Sequence, residues 1–150
     1  MAQGDVVLYN QFKEDLGGKL HDLNTDDVYY CFNTSSLSAA ATLADPRYGT
    51  GGTTNLTSTE TSGGNVTAGG ANIAPTDAWT RSTGTCTFDL NNVSITQDTA
   101  NPTAARWFNF YNFTDTGKRA LGYLDLGSDT NMTTGDFSIT WNASGVFTLA

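Results

Sequence analysis

ARWFNFYNFT at residues 105–114, the turn DTGK at 115–118 and RALGYLDLG at 119–127 decide the reading of the fold. In the first run, Trp107, Tyr111 and Phe113 fall on one side of an extended chain, with Phe108 and Phe110 on the other. A strand that is aromatic on both sides must be deeply buried or lie in an interface. The turn that follows joins it to a second apolar run, and a β-hairpin is the economical interpretation. Working outward, DVYYCFNTSS places Val28, Tyr30 and Phe32 on one face and Tyr29 and Cys31 on the other, which predicts a central strand. WTRS from Trp79, TCTFDL and NVSIT are short runs separated by STG and NN turn signals. Cys86, Phe88 and Leu90 alternate with Thr87 and Asp89, as in a strand with one wet face. At the end of the chain Phe137, Ile139 and Trp141 alternate up to a turn at Asn142–Gly145, and Val146, Phe147 and Leu149 return.

Together these runs predict about eight or nine short strands in one domain spanning 1–150, an all-β antiparallel sandwich or barrel, jelly-roll-like or immunoglobulin-like. The expected core contains Phe32, Phe88, Trp107, Phe137, Ile139 and Trp141. One short N-terminal helix is expected in NQFKEDL, residues 10–16, with Asn10 as N-cap, Phe12 and Leu16 on one face, and Gly17–Gly18 as its stop. Composition agrees with β structure. Thr, Gly, Asn and Ser supply 64 of 150 residues and only 22 are charged, whereas a helical bundle needs Ala, Leu, Glu and Lys.

Fifteen acidic against seven basic residues give a net charge of −8, which repels phosphate backbones and anionic lipid, so neither nucleic acid nor membrane is an expected partner. No apolar run approaches the ~20 residues of a membrane helix, and the opening MAQGDVVLYN lacks the basic and apolar regions of a signal peptide. Synthesis in a cytoplasm is therefore expected, with Cys31 and Cys86 as buried free thiols. Seven Asn-x-Ser/Thr tripeptides, at Asn33, Asn55, Asn65, Asn92, Asn112, Asn131 and Asn142, are read as a consequence of composition.

Residues 35–80 differ from the rest. GTGGTTNLTSTETSGGNVTAGGAN within them is rich in Thr and Gly and has no aromatic residue. Such a loop-rich excursion is either disordered or a long ordered segment that becomes fixed against a partner, because it cannot build a core of its own. The N-terminal arm 1–9 adds an apolar strip suited to extending a neighbouring sheet. The candidate partner-binding residues are accordingly Val6, Val7, Leu8 and Tyr9 in the arm and Tyr48 and Leu56 in the excursion.

The search for chemistry assigns no catalytic residue, metal ligand or cofactor. His21 beside Asp22 suggests half of a triad, yet no serine sits in a G-x-S-x-G setting, and a solvated connector histidine is expected. Asp22, Asp26 and Asp27 with Asn24 lack the D-x-[DN]-x-[DN]-G calcium loop and read as a solvated turn, and Asp125 and Asp129 form a similar one. GTGG, TSGG and AGG lack the Lys-Ser/Thr of a phosphate loop. Trp79, Trp107 and Trp141 could form a sugar platform, but each sits in a strand-like run where core packing is expected.

Taken in order, YNQFKEDLGGKLHDLNTDDVYYCFNTSS, TAGGANIA, WTRSTGTCTFDLNNVSIT, ARWFNFYNFT, KRALGYLDLG and TTGDFSITWNASGVFTLA resemble a family of small virion proteins of tailed bacteriophages, encoded near the head genes. The resemblance covers roughly two thirds of the chain. Where members of that family carry a more apolar strand, this sequence has the polar TSTETSGGNVTAGG. What the resemblance implies is a structural protein on the virion exterior, a capsid decoration or cement protein, with the major capsid protein as partner and a homotrimer as its working state. The other readings are a tail or fibre component that recognises a host glycan and a hydrolase with an acid pair distant in sequence.

Overall fold

A computed structural model describes residues 5–150, with eleven strands, one α-helix and one 3-10 turn. The strands are β1 (Val6–Leu8), β2 (Val28–Asn33), β3 (Pro46–Arg47), β4 (Thr54–Asn55), β5 (Trp79–Ser82), β6 (Thr85–Phe88), β7 (Val93–Ile95), β8 (Ala105–Asn112), β9 (Ala120–Thr130), β10 (Phe137–Ile139) and β11 (Phe147–Leu149). Helix α1 is Asn10–Gly17. The architecture is all-β and sandwich-like, and among the described residues no sheet closes into a barrel, so the barrel alternative drops out.

The β8–β9 hairpin organises everything else. It pairs Phe108 with Leu124 and Asn109 with Tyr123, β2 adds to its β8 side, and β1 adds to its β9 side, giving the order β1-β9-β8-β2. All neighbours in this sheet are antiparallel. One face carries Val28, Tyr30, Phe32, Phe108, Phe110 and Leu124, as the register requires. Against it lies a second layer: β10 paired with β7, and the three-stranded sheet β11-β6-β5. Phe137 meets Phe32 edge-on with ring centres 5.5 Å apart, and Trp141 reaches Phe108 and Phe110, each at 6.0 Å. Phe147 joins Phe88 at 5.2 Å and Phe12 of α1 at 5.9 Å. Phe32, Phe88, Ile139 and Trp141 are buried as the alternation predicts, while Trp107 and Phe137 are half-buried at the margin of the core.

Three local expectations need correction. Helix α1 begins one residue earlier than the capping pattern suggests: Tyr9 is the extended N-cap residue and makes no side-chain cap. Asn10 lies inside the first turn, its N–H donating to Ala41 O and its side-chain oxygen accepting from Lys13 Nζ. Strand β2 is the last of its ladder, not a central strand. Its apolar second face is explained by the excursion, which covers the outer edge with bridges Tyr29 to Asn72 and Asn33 to Glu60. Cys86 is half-buried, whereas Cys31 is fully buried, and both are free thiols.

The excursion is the largest departure. It is not an unstructured segment: it lies on the second face of its own sheet. That face is polar at its centre, with Asn33 and Asn109 fully buried and diagonal to one another. Tyr9 Oη donates to Asn109 Oδ1 (2.5 Å), Asn109 Nδ2 donates to Asn33 Oδ1 (2.9 Å), and Asn33 Nδ2 donates to Leu56 O (2.6 Å). Further along, Tyr111 Oη donates to Gly69 O, and the Tyr48 ring stacks on Tyr111 at 4.6 Å. Gly70 shows how closely the layers approach: at φ +64 it leaves no room for a Cβ, which would stand 2.2 Å from Tyr30 O.

Asn109→Ala should lower the unfolding free energy by about 2–4 kcal/mol, because it strands the buried Tyr9 hydroxyl and leaves Asn33 Oδ1 only the weak Cys31 thiol donor. Urea denaturation followed by tryptophan fluorescence measures it; a loss under about 0.5 kcal/mol, the scale of a neutral surface change, would contradict the relay.

Candidate partner-binding edge

The six candidate residues do not form one surface. Tyr9 and Leu56 are wholly buried inside the chain and offer nothing to a partner, which corrects that expectation. The reason is chemical: Tyr9 is tied to Asn109 and rests on Tyr123 with ring centres 5.2 Å apart, and Leu56 sits where Asn33 grips its carbonyl. Tyr48 is half-buried and faces inward, donating its hydroxyl to Glu60 Oε2 (2.9 Å). Glu60 also accepts from Gly69 N, so this pair fastens the excursion to itself. Val6, Val7 and Leu8 are the candidates left at the surface, all half-buried. Residues 1–4 of the expected arm lie outside the described residues.

The backbone of β1 gives these three residues a definite geometry. Tyr9 N–H donates to Leu121 O at 3.0 Å, and the register places Val7 opposite Tyr123, two residues back along the ladder. Hydrogen-bonded and non-hydrogen-bonded pairs alternate in an antiparallel ladder. Val7 therefore exchanges bonds with Tyr123, while the N–H and C=O of Val6 and Leu8 point away from β9. Among the described residues no strand pairs with that outer edge. Strands β5 and β11 also end their sheet, but β5 presents exposed Thr80, Arg81 and Ser82, whereas β1 is apolar throughout. Beside β1 the described residues bound a cleft of about 850 Å³ between Val6 and Leu124 on one side and Phe137, Ile139, Trp141 and Val146 on the other. A strand laid along β1 would project alternate side chains toward that wall.

Elsewhere the connector and turn carboxylates are engaged internally. His21 is not a solvated connector residue, since its side chain is wholly buried. Asp26 Oδ2 accepts from Asp22 N, and Asp22 Oδ1 accepts from Asn24 N, so the acidic connector is a self-bonded turn. Among the described residues no group of three or more His, Cys, Asp or Glu is placed to hold a metal ion. Asp125 is paired with Arg106 at 2.9 Å, and burial of Asp115 is outweighed by the Arg119 and Gly117 N–H groups and the Arg119 guanidinium, which lower its carboxyl pKa. Of the tryptophans, Trp141 is buried with Nε1 donating to Asn91 O. Trp107 is half-buried beneath the Arg106 guanidinium.

One aromatic group does reach the surface. Phe113 is 38% exposed and stacks on Tyr29 at 4.1 Å, with Asp27 and Asn72 bonded to one another nearby. Lys118 Nζ lies 4.6 Å from the Phe113 ring centre, on the face that Tyr29 leaves. No family model, no curated protein and no solved structure matches this chain.

The two thiols should separate by rate. Burial pushes the Cys31 thiol pKa well up, and Glu60 adds to the rise, so a thiol reagent should label half-buried Cys86 in the native protein and reach Cys31 only on unfolding. Mass spectrometry of the labelled peptides distinguishes the order; equal labelling of both native thiols would contradict it.

Proposed function

We propose that the protein is a structural component of a bacteriophage virion, a decoration protein that binds the outside of the head and strengthens contacts between capsomers. Its partner in this reading is the major capsid protein, its working state a homotrimer, and it acts by binding, with no reaction assigned to it. The observation that carries the reading is the open edge of β1, where outward main-chain groups of Val6 and Leu8 can extend a neighbouring sheet without demanding a particular partner sequence. The segment resemblance supplies the context of a phage head. A net charge of −8 suits a surface kept apart from packaged DNA. Stabilisation then follows from mass action, since a ligand that binds the assembled shell in preference to its loose parts shifts the balance toward the shell.

A second reading, a tail component that binds a host glycan, is favoured by the exposed Phe113 beside Tyr29, Asp27 and Asn72. Sugars bind aromatic side chains by stacking on a ring face, and in Phe113 those faces are taken by Tyr29 and Lys118. The edge reading is the stronger of the two.

Leu8→Pro tests it. Proline removes an N–H that points away from β9, so the native ladder survives, while the edge loses a donor. Leu8→Ala is the control that trims the side chain and keeps the donor. Heads lacking the protein should bind wild type and Leu8→Ala but not Leu8→Pro, all three remaining folded by circular dichroism. Full occupancy by Leu8→Pro would remove β1 as the anchor. Failure of the wild type to bind heads, with binding to tails or to host polysaccharide instead, would replace the head reading with the glycan reading.

A further inference from the structure

Helix α1, the connector 21–27 and the end of β8 meet at a buried polar cluster that neither the fold nor the edge reading requires. The His21 side chain is wholly buried and that of Asp15 is 5% exposed. His21 Nδ1 lies 3.0 Å from Asn112 Nδ2. The orientation of Asn112 is set independently, because its Oδ1 accepts from Asp115 N at 2.9 Å and its Nδ2 donates to Asp26 Oδ2 at 2.6 Å. An amide held in this way presents a donor to Nδ1, so Nδ1 must be the unprotonated acceptor and the ring hydrogen sits on Nε2. Nε2 in turn faces Asp15 Oδ2 at 3.7 Å, beyond hydrogen-bond reach, and neither buried atom has a hydrogen-bond partner.

We propose that His21 is a proton-operated latch between the α1–connector segment and the β8–β9 hairpin, closed when the imidazole is neutral and released when it is protonated. A second proton has to enter at Nδ1, where it meets the N–H of Asn112. Two donors then face each other, and the bonds that Asn112 makes to the connector through His21 and Asp26 are lost or rearranged. The charged groups around the ring set the balance. From α1, Asp15 favours the imidazolium, as do Asp26 of the connector and Asp115 of the β8–β9 turn. Arg119 just before β9, with Nε 3.6 Å from Asp15 Oδ2, opposes it, and Phe12 packs against the ring at 5.2 Å. Burial outweighs the three carboxylates and lowers the imidazole pKa below 6.5. In the unfolded or released segment the imidazole keeps its ordinary pKa and binds the proton more readily. The latch is therefore fully closed above about pH 6.5 and weakens as pH falls below it.

Because β1 runs into α1 through Tyr9, release loosens the segment next to the open edge. The latch itself rests on no assumption about what that edge binds. The experiment is hydrogen exchange on the isolated protein at pH 7.5 and 5.5, corrected for the intrinsic pH dependence of exchange. Protection in residues 10–27 should fall at the lower pH relative to β8, by at most about tenfold, the limit for one imidazole whose ordinary pKa is near 6.5. In His21→Gln, which is always neutral, the difference should vanish. Unchanged protection of residues 10–27 in the wild type, or a pH response that persists in His21→Gln, would overturn the latch.

Discussion

The hydrogen-bond relay from Tyr9 through Asn109 and Asn33 to the carbonyl of Leu56 is the constraint on which the rest of the structure depends. A buried amide without partners costs more than a hydrogen bond returns, so once Asn33 and Asn109 are inside the sheet every segment that satisfies them is held in place. Four stretches distant in sequence are joined in this way: the arm before α1, strand β8, strand β2 and the excursion. The relay also fixes register, because a slip of one residue between β2 and β8 would move Asn33 or Asn109 to the hydrocarbon face among Phe32, Phe108 and Phe110. Apolar contacts alone would penalise such a slip less, since both faces of β8 carry aromatic residues.

The two faces of the main sheet thus do different work. On one, rings from β2 and β8 pack against Phe137 and Trp141, which supplies the non-directional burial that drives collapse. On the other, polar groups select a single arrangement of a segment too poor in apolar residues to find one by burial. Residues 35–80 are ordered for that reason. Tyr48 on Tyr111, Tyr111 on the Gly69 carbonyl and Glu60 on the Gly69 N–H convert a Thr- and Gly-rich stretch into a fitted layer. The ordering entropy of the excursion is offset inside the monomer, whereas composition alone suggested an external partner.

The β8–β9 hairpin, the alternation in β6 and β10, the core positions Phe32, Phe88, Ile139 and Trp141 and the existence of a short helix could all be read in the sequence, because each rests on local periodicity. The destination of the excursion could not. Its fixing contacts span 23 residues from Asn33 to Leu56 and 42 from Gly69 to Tyr111, and no periodicity encodes them. A signal was available in the two asparagines on otherwise apolar strands, since Asn33 and Asn109 must find partners if their strands are buried. Val6–Leu8 were legible as a strip suited to pairing with a neighbouring sheet, but not as a strand of their own sheet on β9, and Tyr9 was not legible as core, because its burial depends on Asn109, 100 residues away. His21 followed the same pattern: a polar neighbourhood in sequence concealed a side chain enclosed by α1 and β8.

The edges of the main sheet complete the argument. Strand edges invite pairing with other chains, and proteins ordinarily cover them or place charge on them. Here the β2 edge is covered by the excursion through Asn72 and Glu60, while β1 keeps outward main-chain groups on Val6 and Leu8 with apolar side chains around them. If β1 were open by accident, self-pairing of copies would be the expected hazard. A net charge of −8, with Asp5 at the end of β1, opposes the approach of a second copy without blocking a partner of the opposite sign. Like charge on two copies therefore weighs against edge-to-edge self-pairing at β1, where the apolar side chains alone would favour it.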